Sequence, residues 1–341
     1  LSFVLDGVSD PEAFAAAWQQ VTDRTPVLRG DVVWQDVPEP LFVVRRHATV
    51  PVTHLDWREL SEDDRETRLR DFLDQDRERG VDLTPAPLQR LALARLSDTS
   101  VRVVWSFHHL ILDGWSLFHV LSDVFAGHAR ITGAPGADDS LTARPGRRPY
   151  RDYVAWLRER DTVEAEQHWR DRLLGLSETT PLPYDREPRE SHRAESTDAV
   201  RVTVPEVTSR ALEDLARAEG LTVNTLVQGA WAVLLSRQAG RADVVFGTTV
   251  SGRPPELPGA EDLAGLFIST LPTRVAVAGE GTLLDWLRDL QRGQSEDRRF
   301  DHVPLTRMKA FTELPERAAL FDSIVVFENY PVDDDLAAAH G

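Results

Sequence analysis

The segment Phe107-His108-His109-Leu110-Ile111-Leu112-Asp113-Gly114-Trp115-Ser116 sets two adjacent imidazoles a fixed three residues ahead of Asp-Gly. An imidazole titrates near neutral pH, so it can accept a proton, return one, or hold a nucleophile by a hydrogen bond. Those abilities suit acyl transfer. The preceding run, Val101-Arg102-Val103-Val104-Trp105-Ser106, is β-branched and aromatic and predicts a strand. Asp113-Gly114 then predicts a turn. A strand that stops at His-His delivers an imidazole to the rim of a sheet, where a rigid scaffold can hold it.

Other chemistries fit less well. His109 and Asp113 have a four-residue offset, but it falls on a turn, and no second His/Asp cluster at ligand spacing accompanies it, so zinc ranks below acyl transfer. Gly114-Trp115-Ser116-Leu117-Phe118 lacks the last glycine of a serine-hydrolase elbow. The sequence contains no cysteine, which excludes thiol nucleophiles, Cys-ligated metals and disulfides.

The elements around the motif alternate in type. Phe3-Val4-Leu5 predicts a strand, and Asp10-Pro11 opens a helix to about Val21 with Phe14, Trp18 and Val21 on one face. Arg24 to Gly30 reads as a turn into strand Val32-Val33-Trp34, and residues 61–80 read as a charged, solvated helix. After the motif come a helix from Leu117 to Phe125, a loop from Gly133 to Pro149, and a helical stretch from Tyr150 to Leu174 with Trp156 and Trp169 as core anchors. Residues 181–190, rich in proline and charge, predict an interlobe linker. Beyond it lie strand 199–204, a helix from Thr222 to Arg237, strands 243–250 and 271–277, helix 283–291 and strand 323–327. The Thr222 helix is expected to bury Val223, Leu226, Val227, Ala230, Trp231, Leu234 and Leu235. The fold class is α/β.

With 341 residues, 41 % of them hydrophobic, the chain can build two ordinary cores. A net charge of −17 argues against a nucleic-acid partner. No run of apolar residues is long enough to span a membrane and the first residues are no signal peptide, so the expected compartment is the cytoplasm. The first residue is Leu1, and the chain is expected to be a piece of something longer, trimmed at both ends.

The chain resembles the condensation domains of nonribosomal peptide synthetases along essentially its whole length. Phe107 to Ser116 is similar to the family's His-His-x-x-x-Asp-Gly signature. Arg24 to Arg29 resembles the arginine-bearing motif, with Thr25 and Pro26 where His-Glu is commoner. Pro149 to Trp156 resembles Tyr-x-Asp-Tyr, and Phe246-Gly247 to Arg253 resembles Phe-Gly followed by Ser-Gly-Arg. Gly265 to Pro272 resembles the next motif, with Ser269 where Asn is commoner; His302 to Leu305 and 321–331 resemble the last two.

That resemblance implies two chloramphenicol-acetyltransferase-like lobes, residues 1–180 and 191–341, arranged as a V-shaped pseudo-dimer around a tunnel. It implies amide formation between a donor aminoacyl or peptidyl thioester and the α-amine of an acceptor aminoacyl thioester, most like the type joining two L-residues. The implied partners are an upstream and a downstream peptidyl carrier protein and a neighbouring adenylation domain. No cofactor is expected on the domain itself, because phosphopantetheine arms bring the substrates. His109 is the expected catalytic residue, by positioning ahead of base catalysis: an imidazole of pKa about 6.5 is a weak base toward an amine of about 7.7–8. His108 is expected to orient, and Gly114 to let a thioester arm pass. Asp113 is expected to pair with Arg24 or Arg253. Trp115, Ser116, Ser251 and Ser269 are tunnel-wall candidates. A same-fold variant that dehydrates a tethered Ser or Thr or forms an ester, and a non-catalytic recruitment platform, are the alternatives.

Overall fold

In the computed structural model, which describes residues 1–133, 147–184, 199–277 and 281–328, the chain enters through β1 (Ser2–Asp6) and turns at Gly7 into α1 (Pro11–Arg24). Asp10 caps that helix, its carboxylate accepting from the Glu12 and Ala13 amides at 3.0 and 3.1 Å, and Pro11 takes the first position, where no amide is needed. The paired strands β2 (Gly30–Val33) and β3 (Leu41–Val44) follow, then β4 (Val52–Asp56) and the charged helix α2 (Glu62–Arg79), which buries no residue. β5 (Gln89–Arg95) and β6 (Ser100–Phe107) complete a sheet ordered β1-β6-β5-β4, antiparallel except for the β4–β5 pair. α3 (Gly114–Thr132) lies on α1, with Ala17 against Gly127.

Phe14, Trp18, Leu28, Leu93, Trp105, Ile111 and Leu112 fill the core of this unit. Each such side chain contributes about 1.5–3 kcal/mol by leaving water. Both buried indole N–H groups are satisfied: Gln89 Oε1 accepts from Trp18 Nε1 at 3.3 Å and Trp105 Nε1 at 3.0 Å. β6, which runs up to the histidines, is thereby tied at Trp105 through Gln89 to α1.

Chain contacts divide the molecule into two compact units. The described residues of the first are Leu1–Arg158, less 134–146, and Arg253–Phe267; the second comprises the described parts of Glu159–Gly252 and Ile268–Asn329. This differs from the expected division at 180. The single helix expected over 150–174 is two, α4 (Arg151–Arg158) and α5 (Thr162–Leu173), because Asp161 caps a new start through the Val163 amide at 2.8 Å. The units part at that break. Most of the expected linker, and most of the loop expected before Pro149, lie outside the described residues.

The second unit contains α5, α6 (Glu206–Glu219), α7 (Val223–Ala239), β7 (Asp243–Val250), β8 (Ser269–Ala276), α8 (Leu283–Asp297), α9 (Leu305–Lys309) and β9 (Ile324–Val325), with strands ordered β8-β7-β9. Trp169 and Phe246 anchor its two apolar clusters. Trp156, the other expected anchor, is only partly buried. Two further expectations fail. Residues 199–204 form no strand, and Val200 and Val202 are exposed. On α7, Val227 and Leu234 face out while Thr225, Gln228, Gly229, Ala232 and Leu235 face in. No helix among the described residues is long and apolar enough to cross a membrane.

Candidate active site

β6 ends at Phe107, and His108 and His109 lie in the turn that follows it. The turn is closed by backbone bonds from His108 N to Leu88 O and from Ile111 N to His108 O. His108 Nδ1 accepts from the Leu110 amide at 3.1 Å, so His108 shapes the turn. Burial, and then the neighbouring His109 charge, pull its pKa below the ordinary 6.5 and favour the neutral ring.

His109 is exposed, and its ring stands edge-on to Phe107 with centroids 5.7 Å apart. Its Nδ1 lies 3.1 Å from the Leu112 carbonyl. A carbonyl oxygen only accepts, so Nδ1 carries the proton in the neutral ring and Nε2 carries the lone pair. The turn thus fixes the ring orientation and leaves a hydrogen-bond acceptor pointing away from the backbone.

Asp113 is fully buried and caps α3, its Oδ1 accepting from Ser116 N at 2.8 Å. Oδ2 accepts from Phe267 N at 3.1 Å, and Arg253 Nη2 lies 3.2 Å from Oδ1. Arg253 is thus the partner of Asp113, while Arg24 ends α1 with its side chain exposed. Arg253 also donates through Nη1 to Ala260 O at 2.6 Å and Leu263 O at 2.9 Å, and its guanidinium lies 4.2 Å from the Phe267 ring centroid. Only an arginine offers so many donors in one plane together with a face to stack.

Ser116, expected on a tunnel wall, is instead sealed in the interior. Its Oγ accepts from Arg253 Nη2 at 2.9 Å and Gly265 N at 3.0 Å and donates to Gly265 O at 2.8 Å. The Asp113 amide donates to the same carbonyl at 3.0 Å. Asp113, Ser116 and Arg253 therefore hold a strap, Arg253–Phe267, against the start of α3. This is why that stretch groups with the first unit. Tyr150 adds a hydrogen bond from its hydroxyl to Leu266 O, and burial pushes its pKa well above the ordinary 10. His119, one turn further along α3, donates from Nε2 to Glu261 O at 2.8 Å. Its place one turn after Ser116 on α3 is the only sequence signal that points to it.

Gly114 and Trp115, the remaining residues of the motif, form the first turn of α3 and are partly buried. Ser251 and Ser269 belong to the second unit: Ser269 faces Val250 at the end of the β7–β8 ladder, and Ser251 follows it. Of the motif expected over 321–331, Asn329, Tyr330 and Pro331 lie outside the described residues.

A family profile described as "Condensation domain" matches residues 1–340. One of the proteins that make up linear gramicidin synthase in Brevibacillus parabrevis is 43 % identical over 319 residues, 94 % of this chain and 6 % of that protein. Bacitracin synthase 3 of Bacillus licheniformis is 31 % identical over 330 residues, 97 % of this chain and 5 % of the relative. The chain thus spans a small fraction of the length of the relatives it matches. Among solved structures, the X-domain from teicoplanin biosynthesis matches with TM-score 0.76 and 26 % identity, covering 95 % of this chain and 72 % of that one. The starter condensation domain of rhizomide synthetase matches in fold, with TM-score 0.70, 19 % identity and 95 % and 71 % covered. The α/β fold agrees with these likenesses. The chain belongs to the condensation-domain family of nonribosomal peptide synthetases, whose domains form peptide bonds between substrates tethered to carrier proteins.

Proposed function

We propose that this chain transfers a donor aminoacyl or peptidyl group from its carrier thioester to the α-amine of an aminoacyl group on a second carrier, joining two L-residues. The carrying observation is the His109 ring, exposed, with Nδ1 tied to Leu112 O and Nε2 left as acceptor. In this reading Nε2 accepts a hydrogen bond from the neutral amine and aims its lone pair at the thioester carbonyl. The C–N bond forms, the nitrogen gives up a proton through Nε2, and the C–S bond breaks to release the donor arm as a thiol. Placing two tethered reactants can remove about 7–11 kcal/mol of barrier, so positioning carries most of the rate. His108 shapes the turn, and Asp113, Arg253 and Ser116 hold it.

Two lobes, carrier proteins on either side, an adenylation neighbour, substrates borne on phosphopantetheine with no cofactor on the domain, and a cytoplasmic setting belong to the same reading. Gly114 and Trp115 at the start of α3, and Ser251 and Ser269 in the second unit, are its candidates for the substrate path. A non-catalytic recruitment platform is the contrasting reading, since the X-domain from teicoplanin biosynthesis, similar in fold, is found in a complex with OxyB; an intact His-His-x-x-x-Asp-Gly motif with an oriented His109 speaks against it.

The test loads donor and acceptor carriers with defined aminoacyl groups and follows the acceptor by intact-protein mass spectrometry, with the full-length protein and its His109→Ala variant. A mass gain equal to the donor acyl group, lost in the variant, supports the reading. Loss of one water from a Ser- or Thr-loaded chain replaces it with dehydration. No His109-dependent change leaves the platform.

A further inference from the structure

Two contacts orient the His109 ring, and one of them is apolar. Among the described residues its hydrogen-bond partner is the Leu112 carbonyl, at 3.1 Å, and its ring partner is Phe107. An imidazole turns about two torsions, and the outer one joins a tetrahedral to a trigonal carbon, so its preferences are broad. One hydrogen bond at Nδ1 therefore leaves the ring free to swing about the Nδ1···O line. His109 is also exposed, so water competes for that bond. A flat surface against the ring removes the swing.

Phe107 supplies the surface and is itself held. Trp105 and Phe107 lie two apart at the end of β6, so their side chains share one face of the strand. Their ring centroids are 4.5 Å apart, and the Trp105 ring meets Trp18 of α1 at 4.9 Å in an edge-on contact. Both indoles are fully buried, and Gln89 accepts from both of their N–H groups. His109 comes two residues after Phe107, just past the strand end, with its ring centroid 5.7 Å from that of Phe107. Trp18, Trp105, Phe107 and His109 thus form a column of rings inside the first unit, running from its core to the exposed imidazole. The phenyl ring of Phe107 offers no hydrogen bond, so what it gives the imidazole is a plane in a fixed place.

We propose that Phe107 is a positioning residue for His109: its ring, packed on Trp105, keeps Nδ1 on the Leu112 carbonyl and Nε2 aimed away from the backbone. The inference rests on the amide-forming reading above and adds a residue to the same site.

The experiment compares Phe107→Leu and Phe107→Tyr with the wild type in the full-length protein. Leucine keeps an apolar side chain and removes the plane; tyrosine keeps the plane. Amide formation between loaded carriers gives kcat and KM, and denaturation gives the folded fraction of each variant. Phe107→Leu should lower kcat by about tenfold to a hundredfold, the effect of a reacting group set slightly out of place, with KM for either loaded carrier within about threefold of wild type. Phe107→Tyr should recover most of that loss. Structures of the same proteins read the ring directly. In the wild type and in Phe107→Tyr, Nδ1 should lie within hydrogen-bond reach of Leu112 O; in Phe107→Leu the His109 ring should occupy more than one orientation.

Wild-type kcat in Phe107→Leu overturns the inference, as does a fall in kcat that only tracks the folded fraction. A His109 ring that keeps its single orientation in Phe107→Leu overturns it too, because the ring is then held without Phe107. Phe107→Tyr as slow as Phe107→Leu overturns the role of the plane. Absence of amide formation by the wild type with every loaded pair overturns the reaction, and the ring orientations in the structures then still decide whether Phe107 holds His109.

Discussion

Asp113 and Arg253 stand 140 residues apart in the chain, and their charged groups lie 3.2 Å apart in the fold. The carboxylate is fully buried and the guanidinium nearly so. Such a pair tolerates poorly the loss of one member, because the other is left as an uncompensated buried charge. Arg253→Ala is therefore expected to lower stability by about 3–5 kcal/mol, read from urea or guanidinium denaturation. Arg253→Lys should recover only part of the loss, since an ammonium cannot reach Asp113, Ser116 Oγ and two carbonyls at once or stack on Phe267. Wild-type stability in Arg253→Lys would mean that charge alone holds the strap.

The turn that holds the two histidines makes a separate prediction. His108 Nδ1 accepts from the Leu110 amide two residues on, a bond that an asparagine side-chain oxygen makes in the same position of an Asx-turn. His108→Asn should accordingly keep substantially more turnover than His108→Ala in the carrier-loading assay. His109→Asn, which cannot supply Nε2 at the same reach, should be as inactive as His109→Ala. Equal losses in His108→Asn and His108→Ala would assign His108 to chemistry and not to the turn.

What the sequence made legible follows from how local each signal is. The Asp10-Pro11 start, the strand before His108 and the Thr222 helix rest on capping chemistry and period, and the structure bears them out. The apolar pattern of α7 points to a different face because Val227, Ala230 and Leu234 are exposed, while three of its five buried positions are Thr225, Gln228 and Gly229. Their partners, Gln294 and Thr248, come from α8 and β7 and are invisible to a helical pattern. The interior place of Ser116 is hidden from the sequence for a related reason. A serine in a first helical turn reads as surface until a remote backbone, here Gly265, is known to lie over it. The choice of Arg253 over Arg24 likewise needed the third dimension.

Gly265 leaves no room for a side chain beside Tyr150. A Cβ built on it would lie 2.0 Å from Tyr150 Cδ2, far inside any real contact. The Tyr150 ring cannot retreat without giving up its hydroxyl bond to Leu266 O and its edge-on packing against Phe267, at 5.2 Å between centroids. Gly265→Ala should thus destabilise the protein by about 1–3 kcal/mol through overpacking. Tyr150→Phe keeps the ring and removes only the hydroxyl, leaving the Leu266 carbonyl unpaired, and should cost about 1–3 kcal/mol by that separate route. In the double variant Gly265→Ala/Tyr150→Ala the clash is gone, so its loss should be less than the sum of the losses measured for Gly265→Ala and Tyr150→Ala singly. Strict additivity in denaturation experiments would show that Gly265 and Tyr150 do not meet.

His119 makes the strap sensitive to pH. Burial first, and then the nearby Arg147 and Arg253 charges, pull its pKa below the ordinary 6.5, against the opposing pull of the Glu261 carbonyl and Asp262. The folded protein therefore holds His119 neutral in a window where the unfolded chain binds a proton. Stability from this group is fully present above about pH 6.5 and is lost as pH falls through the folded value. His108 shifts in the same direction and adds to the slope. Denaturation midpoints should decline between about pH 7.5 and 5.5, before the ordinary carboxylates titrate. Replacing His119 with Gln, which keeps a donor for Glu261 O but cannot take up a proton, should flatten that slope. One imidazole accounts for at most about 1.4 kcal/mol per pH unit. Identical slopes in wild type and His119→Gln would show that His119 protonates equally in the folded and unfolded chains, and that the strap does not respond to acid through this residue.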